Sequence, residues 1–485
     1  MASSTATRDK REEKRAKKEI LAKLAELGGK MHDDDDIIFA GDKLTIPSSM
    51  TLQRARQFID AKLEEQETET DFLRVFEYRP YDGAYCMYRA FKRVFGAVGH
   101  QGTPGFFFFP GDPPRMISVP IDVDKQEQIP WGMFTLPALE GVTFETGSTH
   151  HPELGTLFRV TASGPKKYAP QIEGVFKLIQ EELETNSMYR GKAFDGQDMP
   201  EFVDLTGVDP EQVVYSQDVM ADLEANIWAQ LRYTEQFEAE GSALKRAVLI
   251  HGPYGTGKTL AAVLTGQEAT RNGWTFIKRR PGRDDLSQVM QTARLYQPAV
   301  VFYEDVDQIA DSEVAGESGI TRMLDDFDGI DAKNTKILCI LTTNHPERIH
   351  KGMGRPGRLD AMIKIAELDQ EGMTKLVKAR CKTRLADDID WDAVFAAAKD
   401  YMPAFVTEFA DRAIRYAMIR TKGEMENVKL VTEDLVHSAE GLRPQFELMA
   451  GAKDRHEKPK LEAAFGDLVT SVVRQHMIDD VLVEA

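Results

Sequence analysis

Cysteine is scarce in this chain. Of 485 residues only Cys86, Cys339 and Cys381 carry thiols, far apart and odd in number. They offer neither a zinc-ligand spacing nor a disulfide framework and point to a reducing, cytoplasmic setting. Long apolar runs are missing too: none approaches the roughly 18 residues that a membrane-spanning helix needs. The basic N-terminal stretch is followed by no apolar core, so no secretory leader is expected. Excess positive charge is also absent. Lys and Arg total 61 against 79 Asp and Glu, a formal net charge of −18, which argues against a surface given over mainly to nucleic acid. What remains is an ordinary globular composition, 42% apolar and 29% charged, in a chain long enough for roughly two to four domains.

Residues 8–30 combine Lys, Arg and Glu with Ile20, Leu21, Leu24 and Leu27 at helical spacing. That predicts a charged amphipathic helix: a solvated arm with a short sticky face, a short coiled coil or partner-binding helix, or, least favoured because acidic residues are interleaved, a nucleic-acid arm. Asp33–Asp36 reads as a solvated linker, because the spaced ligands and glycine of a Ca²⁺ loop are missing. Residues 37–190 read as an α/β and β-rich region, a candidate partner domain. Its elements are a helix from Ser48 to Glu65 capped by Ser48 or Ser49, an extended segment at Phe76–Tyr81, and a helix at Ile172–Asn186. Short strands are expected at Phe106–Phe109, Met116–Val123, Gly141–Glu145 and Thr156–Thr161. His150 and His151 read as an exposed turn rather than a metal site. Residues 191–212 read as a linker, and 443–485 as one or two helices broken by Pro444 and Pro459.

The chemistry begins at Lys245–Ile250, a basic step followed by a buried-strand run. Directly after come Gly252, Pro253, Tyr254, Gly255, Thr256, Gly257, Lys258 and Thr259, with Leu260 opening an apolar helix. Strand, Gly-x-x-x-x-Gly-Lys-Thr and helix in that order make a P-loop. The glycines let the backbone curl with its N–H groups facing inward, and the helix N-terminus attracts phosphate. Lys258 adds a point charge over the β- and γ-phosphates, and Thr259 offers its hydroxyl to Mg²⁺. About 40 residues on, Ala299–Tyr303 predicts a second buried strand, ending in Glu304, Asp305, Val306 and Asp307. One of its carboxylates serves the Mg²⁺ shell and the next polarises water. Lys336–Leu341 predicts a third strand. Asn344 at its tip either touches the attacking water or the γ-phosphate, or merely caps the strand. Arg355 and Arg358, in a Gly/Pro-rich loop, suit an exposed subunit edge from which a guanidinium reaches a neighbour's γ-phosphate. A local pairing with Asp360 is the alternative for one of them.

With these motifs in order, the run from about Val213 to Leu442 resembles the AAA ATPase module, close to its proteasomal-ATPase and segregase branch. Gly252–Thr259 is similar to Walker A, Val300–Asp307 to Walker B, and Asp325–Gly329 to the segment before the sensor strand. Thr342–Asn344 looks like sensor 1, and Arg355 and Arg358 fall where the family places its arginine fingers. The resemblance implies an α/β P-loop NTPase core with a parallel sheet (213–365) plus a small helical lid (366–442), preceded by the α/β and β-rich region. It implies ATP and Mg²⁺ as ligands, a hexameric homo-oligomer, and remodelling of a protein partner. Counting from Asp307 gives Glu304 the Mg²⁺ role and Asp305 the water-activating role, the reverse of the common Asp-Glu order. Pro403-Ala404 stands in place of a second sensor arginine, and the backbone at Ala404 is expected near the adenine and ribose. Where the family has an aromatic pore loop, this chain has Lys278, Arg279, Arg280 and Arg283. These are either channel-lining cations suited to an acidic peptide or phosphate backbone, or solvated surface charges. Three functions follow: a remodelling ATPase, a nucleotide-gated scaffold, and a nucleic-acid-stimulated ATPase.

Overall fold

The computed structural model describes residues 38–40, 43–45, 51–102, 113–196, 200–280, 284, 286–306, 335–348, 359–424 and 428–455. The expected helix at 8–30, the acidic run at 33–36, the strand at 106–109 and the break at Pro459 lie outside them. The elements run β1 (Ile38–Ala40), β2 (Lys43–Thr45), α1 (Leu52–Glu67), β3 (Glu69–Phe76), α2 (Pro80–Phe95), β4 (Gly99–Gln101), β5 (Arg115–Asp122), β6 (Lys125–Trp131), β7 (Met133–Thr135), β8 (Thr143–His151), β9 (Gly155–Pro165), α3 (Ala169–Asn186) and β10 (Ala193–Asp195). They continue with α4 (Gln217–Leu223), α5 (Thr234–Ala239), β11 (Arg246–His251), α6 (Lys258–Arg271), β12 (Thr275–Lys278), α7 (Leu286–Leu295), β13 (Ala299–Tyr303), β14 (Ile337–Thr343), β15 (Ala361–Lys364), α8 (Gln370–Cys381), α9 (Trp391–Ala397), α10 (Pro403–Arg420) and α11 (Thr432–Arg455).

Two compact units emerge. The first draws on residues up to 208, 221–251 and 259–363; the second draws on 209–220, 252–258 and residues from 364 on. In the first unit a six-stranded sheet has the order β10-β12-β13-β14-β11-β15, with β10 to β14 paired in parallel. Every residue of β13 and β14 is buried. Their unbroken apolar runs are what a parallel strand covered on both faces requires. A five-stranded sheet, β3-β9-β8-β7-β4, is antiparallel throughout. Along β9 buried residues alternate with less buried ones, the pattern of a sheet covered unequally on its two faces.

Several boundaries differ from the sequence reading. Thr51, not Ser48 or Ser49, caps α1, its side chain accepting from the Arg54 N–H. The extended segment at 76–81 ends at Phe76, and Pro80 opens α2; its fixed φ suits the first helical turn. His150 and His151 are exposed on strand β8 rather than in a turn. Within the expected linker at 191–212, β10 pairs with β12 through Ala193–Phe276 to Asp195–Lys278. In the second unit Pro444 lies inside α11 instead of breaking it. Packing on both sides holds the helix across the lost N–H. The Arg443 guanidinium donates to the Lys399 and Ala397 carbonyls, and the Phe446 ring sits 5.0 Å from that of Tyr401. No described helix is long and apolar enough to cross a membrane.

The antiparallel layer and the parallel sheet share one apolar core, in which Phe76, Phe158 and Val175 join Tyr189, Tyr296 and Val301. A buried polar cluster crosses that core. Arg79 is 1% exposed. Its N–H donates to the Tyr296 hydroxyl at 3.0 Å, and its guanidinium donates to the carbonyls of Leu154 and Thr156 and to the Thr292 hydroxyl. Fully buried Asp82 accepts from Met188 N, Ser187 Oγ and Tyr296 OH at 2.8, 2.6 and 3.1 Å.

Burial pushes the Asp82 carboxyl from 3.8 up to about 6, against the opposing pull of those hydrogen bonds. The folded protein therefore holds this proton more tightly than the unfolded chain. Asp82 contributes stability that is complete below the unfolded pKa and is lost as pH rises through the folded one. The expected result is that the stability advantage of the parent over Asp82→Asn grows as pH falls from about 6 to about 4. Urea midpoints of both proteins across that window check it. A constant difference would show that Asp82 titrates normally.

Candidate functional site

Strand β11 delivers the chain to Gly252, and α6 begins at Lys258. Between them the loop folds on its own groups. Lys258 Nζ donates to the carbonyls of Gly252 (2.9 Å) and Pro253 (2.8 Å). Thr256 Oγ1 donates to the same Pro253 carbonyl at 2.9 Å. Lys258 is 7% exposed and Thr256 is fully buried, while Tyr254 is half exposed, with Lys258 Nζ 6.0 Å from its ring centroid. A Cβ at Gly252 would stand 2.0 Å from the Ile365 carbonyl oxygen, so no larger residue fits there without movement. Gly257 has φ +97° and lies under the Tyr215 ring, a conformation that L side chains rarely adopt. Two further groups of the second unit grip the loop: Tyr215 OH donates to the Gly257 carbonyl at 2.7 Å, and Ala404 N at the start of α10 donates to the Gly255 carbonyl at 3.0 Å. Tyr215 was invisible in the sequence, where a lone tyrosine before a short helix follows no spacing rule.

The carboxylates belong to the first unit. Glu304 and Asp305 follow β13, and Asn344 follows β14, which pairs with it in parallel. Thr259 Oγ1 donates to Glu304 Oε1 at 2.6 Å. Asp305 takes a left-handed backbone, φ +48°, which short polar side chains tolerate best after glycine. Its N–H donates to Thr342 Oγ1 at 3.1 Å, and Asn344 Nδ2 donates to Asp305 Oδ1 at 2.9 Å. The two acids thus have different partners: the Thr259 hydroxyl meets Glu304, and the Asn344 amide meets Asp305. Among the described residues no group of three or more His, Cys, Asp or Glu side chains gathers as a metal cage. A hydroxyl and one carboxylate fit Mg²⁺, which keeps waters and takes the rest of its shell from phosphates. Leu260 follows Thr259 on α6, 39% exposed. Asp307, 325–329, Arg355 and Arg358 lie outside the described residues.

The expected cationic cluster is largely spent within the chain. Lys278 Nζ lies 3.6 Å from Glu304 Oε2. Arg279 is 8% exposed and its Nε donates to the Asp284 carbonyl. Arg280 pairs with Asp195 at 2.5 Å and Glu201 at 2.9 Å. The strand β10 sets Asp195 beside this loop, and that placement was hidden in the supposed linker. Arg283 lies outside the described residues. The three described side chains are therefore not a free basic patch.

Residues 248–367 match the model of the ATPase family associated with various cellular activities (AAA). Among curated proteins, the chain is similar to the cell division cycle protein 48 homolog of Archaeoglobus fulgidus, 27% identical over 239 residues, 44% of this chain and 32% of that protein. It is also similar to the ATP-dependent zinc metalloprotease FtsH of Helicobacter pylori, 29% identical over 181 residues, 34% of this chain and 29% of that protein. FtsH 1 of Conexibacter woesei is 28% identical over 220 residues, 41% and 33%. The chain spans about a third of the length of these relatives. The matched family segment contains the P-loop, both acids and Asn344 but none of residues 38–196.

Proposed function

We propose that this chain, whose residues 248–367 match the AAA ATPase family model, hydrolyses Mg²⁺-ATP in a hexameric ring of identical subunits and uses the cycle to remodel a protein partner. The observation that carries this reading is the pairing of Thr259 with Glu304 and of Asn344 with Asp305 at the ends of neighbouring parallel strands. Lys258, held on two loop carbonyls, exchanges them for phosphate oxygens. Mg²⁺ bound there would supply neutralisation of the charge that develops on the phosphates. Thr259 and Glu304 hold its protein side. Asp305, oriented by Thr342 and Asn344, takes the proton of the attacking water. Arg355 and Arg358 act from the neighbouring subunit.

Mixing two inactive variants tests the ring and the arginine role together. Lys258→Ala should lose nucleotide binding, and Arg355→Ala should keep binding but lose turnover. Co-assembled rings place an intact P-loop of one variant against an intact arginine of the other, so the mixture should regain phosphate release. A mixture as silent as its components, with both chains shown to co-assemble by light scattering, would rule out the trans arginine. A nucleotide-gated scaffold is the second reading. It is favoured by residues 277–285, which offer no aromatic side chain to grip a threaded polypeptide. Turnover raised by a protein partner separates the two, since a scaffold needs occupancy rather than repeated hydrolysis.

A further inference from the structure

A cleft of about 650 Å³ opens in the first unit where the end of β3, the α3 helix and the C-terminal end of α7 meet, and none of its lining residues belongs to the phosphate loop. Its lining includes Glu77, Tyr78, Glu184, Arg190 and Arg294. The two arginines set it apart from ordinary surface. Arg190 Nη2 donates to Tyr78 OH at 3.2 Å, and its guanidinium carbon lies 5.6 Å from the centroid of that ring. The Nε atoms of Arg190 and Arg294 are both buried without a hydrogen-bond partner. Among the described residues no hydrogen bond or ion pair engages the Arg294 guanidinium at all. Buried donors are nearly always satisfied, so two half-buried guanidiniums with unmatched donors in one cleft call for an acceptor from outside the chain.

The charges narrow its chemistry. Glu77 and Glu184 are exposed and line the same cleft, and Gln180 Nε2 donates to one oxygen of Glu184. Two cations and two anions facing one space disfavour a dianion such as phosphate. They suit a molecule that carries both signs. The guanidinium fork matches a carboxylate with two parallel hydrogen bonds. The volume falls within the ~300–1,000 Å³ of small-molecule sites. We propose that this cleft binds a small zwitterion of the amino-acid or short-peptide class, its carboxylate against Arg190 and Arg294 and its ammonium toward Glu77 and Glu184. The walls come from both the antiparallel layer and the helix that precedes β13, so such a ligand bridges the two layers.

The test is calorimetric titration of the full chain, free of nucleotide, with dialanine, N-acetyldialanine and dialanine amide. Dialanine should bind saturably, and each capped form at least about tenfold more weakly, since each lacks one of the two charges. Arg294→Gln should weaken dialanine at least about tenfold while leaving the thermal midpoint of the ligand-free protein unchanged, because that guanidinium holds no partner among the described residues. Glu184→Gln provides the second arm, weakening dialanine but not N-acetyldialanine. The proposal is overturned if dialanine shows no saturable binding up to about 20 mM, well beyond a millimolar affinity. It is equally overturned if the capped forms bind as tightly as dialanine, or if both variants bind like the parent.

Discussion

Asp305→Asn slows phosphate release by roughly 10²–10⁴-fold, the usual contribution of a general base, while ATP is bound about as tightly as by the parent. The substitution keeps the size of the side chain and its ability to accept from Asn344 Nδ2, so the phosphate loop is undisturbed. What is lost is a group able to take a proton. A fall in turnover with unchanged ground-state binding marks an interaction made in the transition state. Glu304→Gln should behave differently. It keeps an acceptor for Thr259 but removes the charge facing the metal, so its deficit should shrink as Mg²⁺ is raised. Single-turnover phosphate release and a fluorescent-nucleotide titration, each across a Mg²⁺ series, separate the two. If Asp305→Asn hydrolyses at the parent rate while Glu304→Gln is dead at every Mg²⁺ concentration, the roles of the acids are the reverse of those assigned here.

Arg79→Met has the largest expected effect on stability, a loss of about 3 kcal/mol or more, because each buried acceptor left without its donor costs about 1–3 kcal/mol. Methionine fills much of the volume but leaves the carbonyls of Leu154 and Thr156 and the Thr292 hydroxyl without their donor. Tyr296→Phe is the milder companion: it removes the hydroxyl that accepts from Arg79 N and donates to Asp82, at a cost of about 1–3 kcal/mol. Urea unfolding with the slope held in view is the measurement. A shift for Arg79→Met within about 0.5 kcal/mol, the range of ordinary surface changes, would mean that the cluster relaxes without it.

The parts of the fold that could be read in advance were those whose local pattern and tertiary setting agree. β13 and β14 are short apolar runs because both faces are covered, and the loop at 252–259 is spelled by glycines at positions, such as Gly255 and Gly257 with positive φ, where few other residues could take the backbone conformation. The parts that escaped were decided by long-range packing. The α2 helix buries Asp82, Gly83 and Cys86 among its apolar residues, which blurs its periodicity. Three residues suffice for β10 because β12 supplies its partner groups, and no window of three carries a strand signal. The same holds at the site. Glu304, Asp305 and Asn344 were legible from their places after strands, but the clasp of Tyr215 on Gly257 and the contact of Lys278 with Glu304 join residues 42 and 26 positions apart.

The place of β10 at the margin of the six-stranded sheet bears on how the catalytic region can be isolated. A fragment beginning at residue 213, the boundary that motif spacing recommends, would lack Ala193–Asp195 and bare the outer backbone groups of β12. It would also strip Arg280 of its carboxylate partners Asp195 and Glu201. A newly exposed parallel strand is a template for self-association. Such a fragment would therefore clump for reasons unrelated to nucleotide, and any oligomer it formed would say little about the proposed ring.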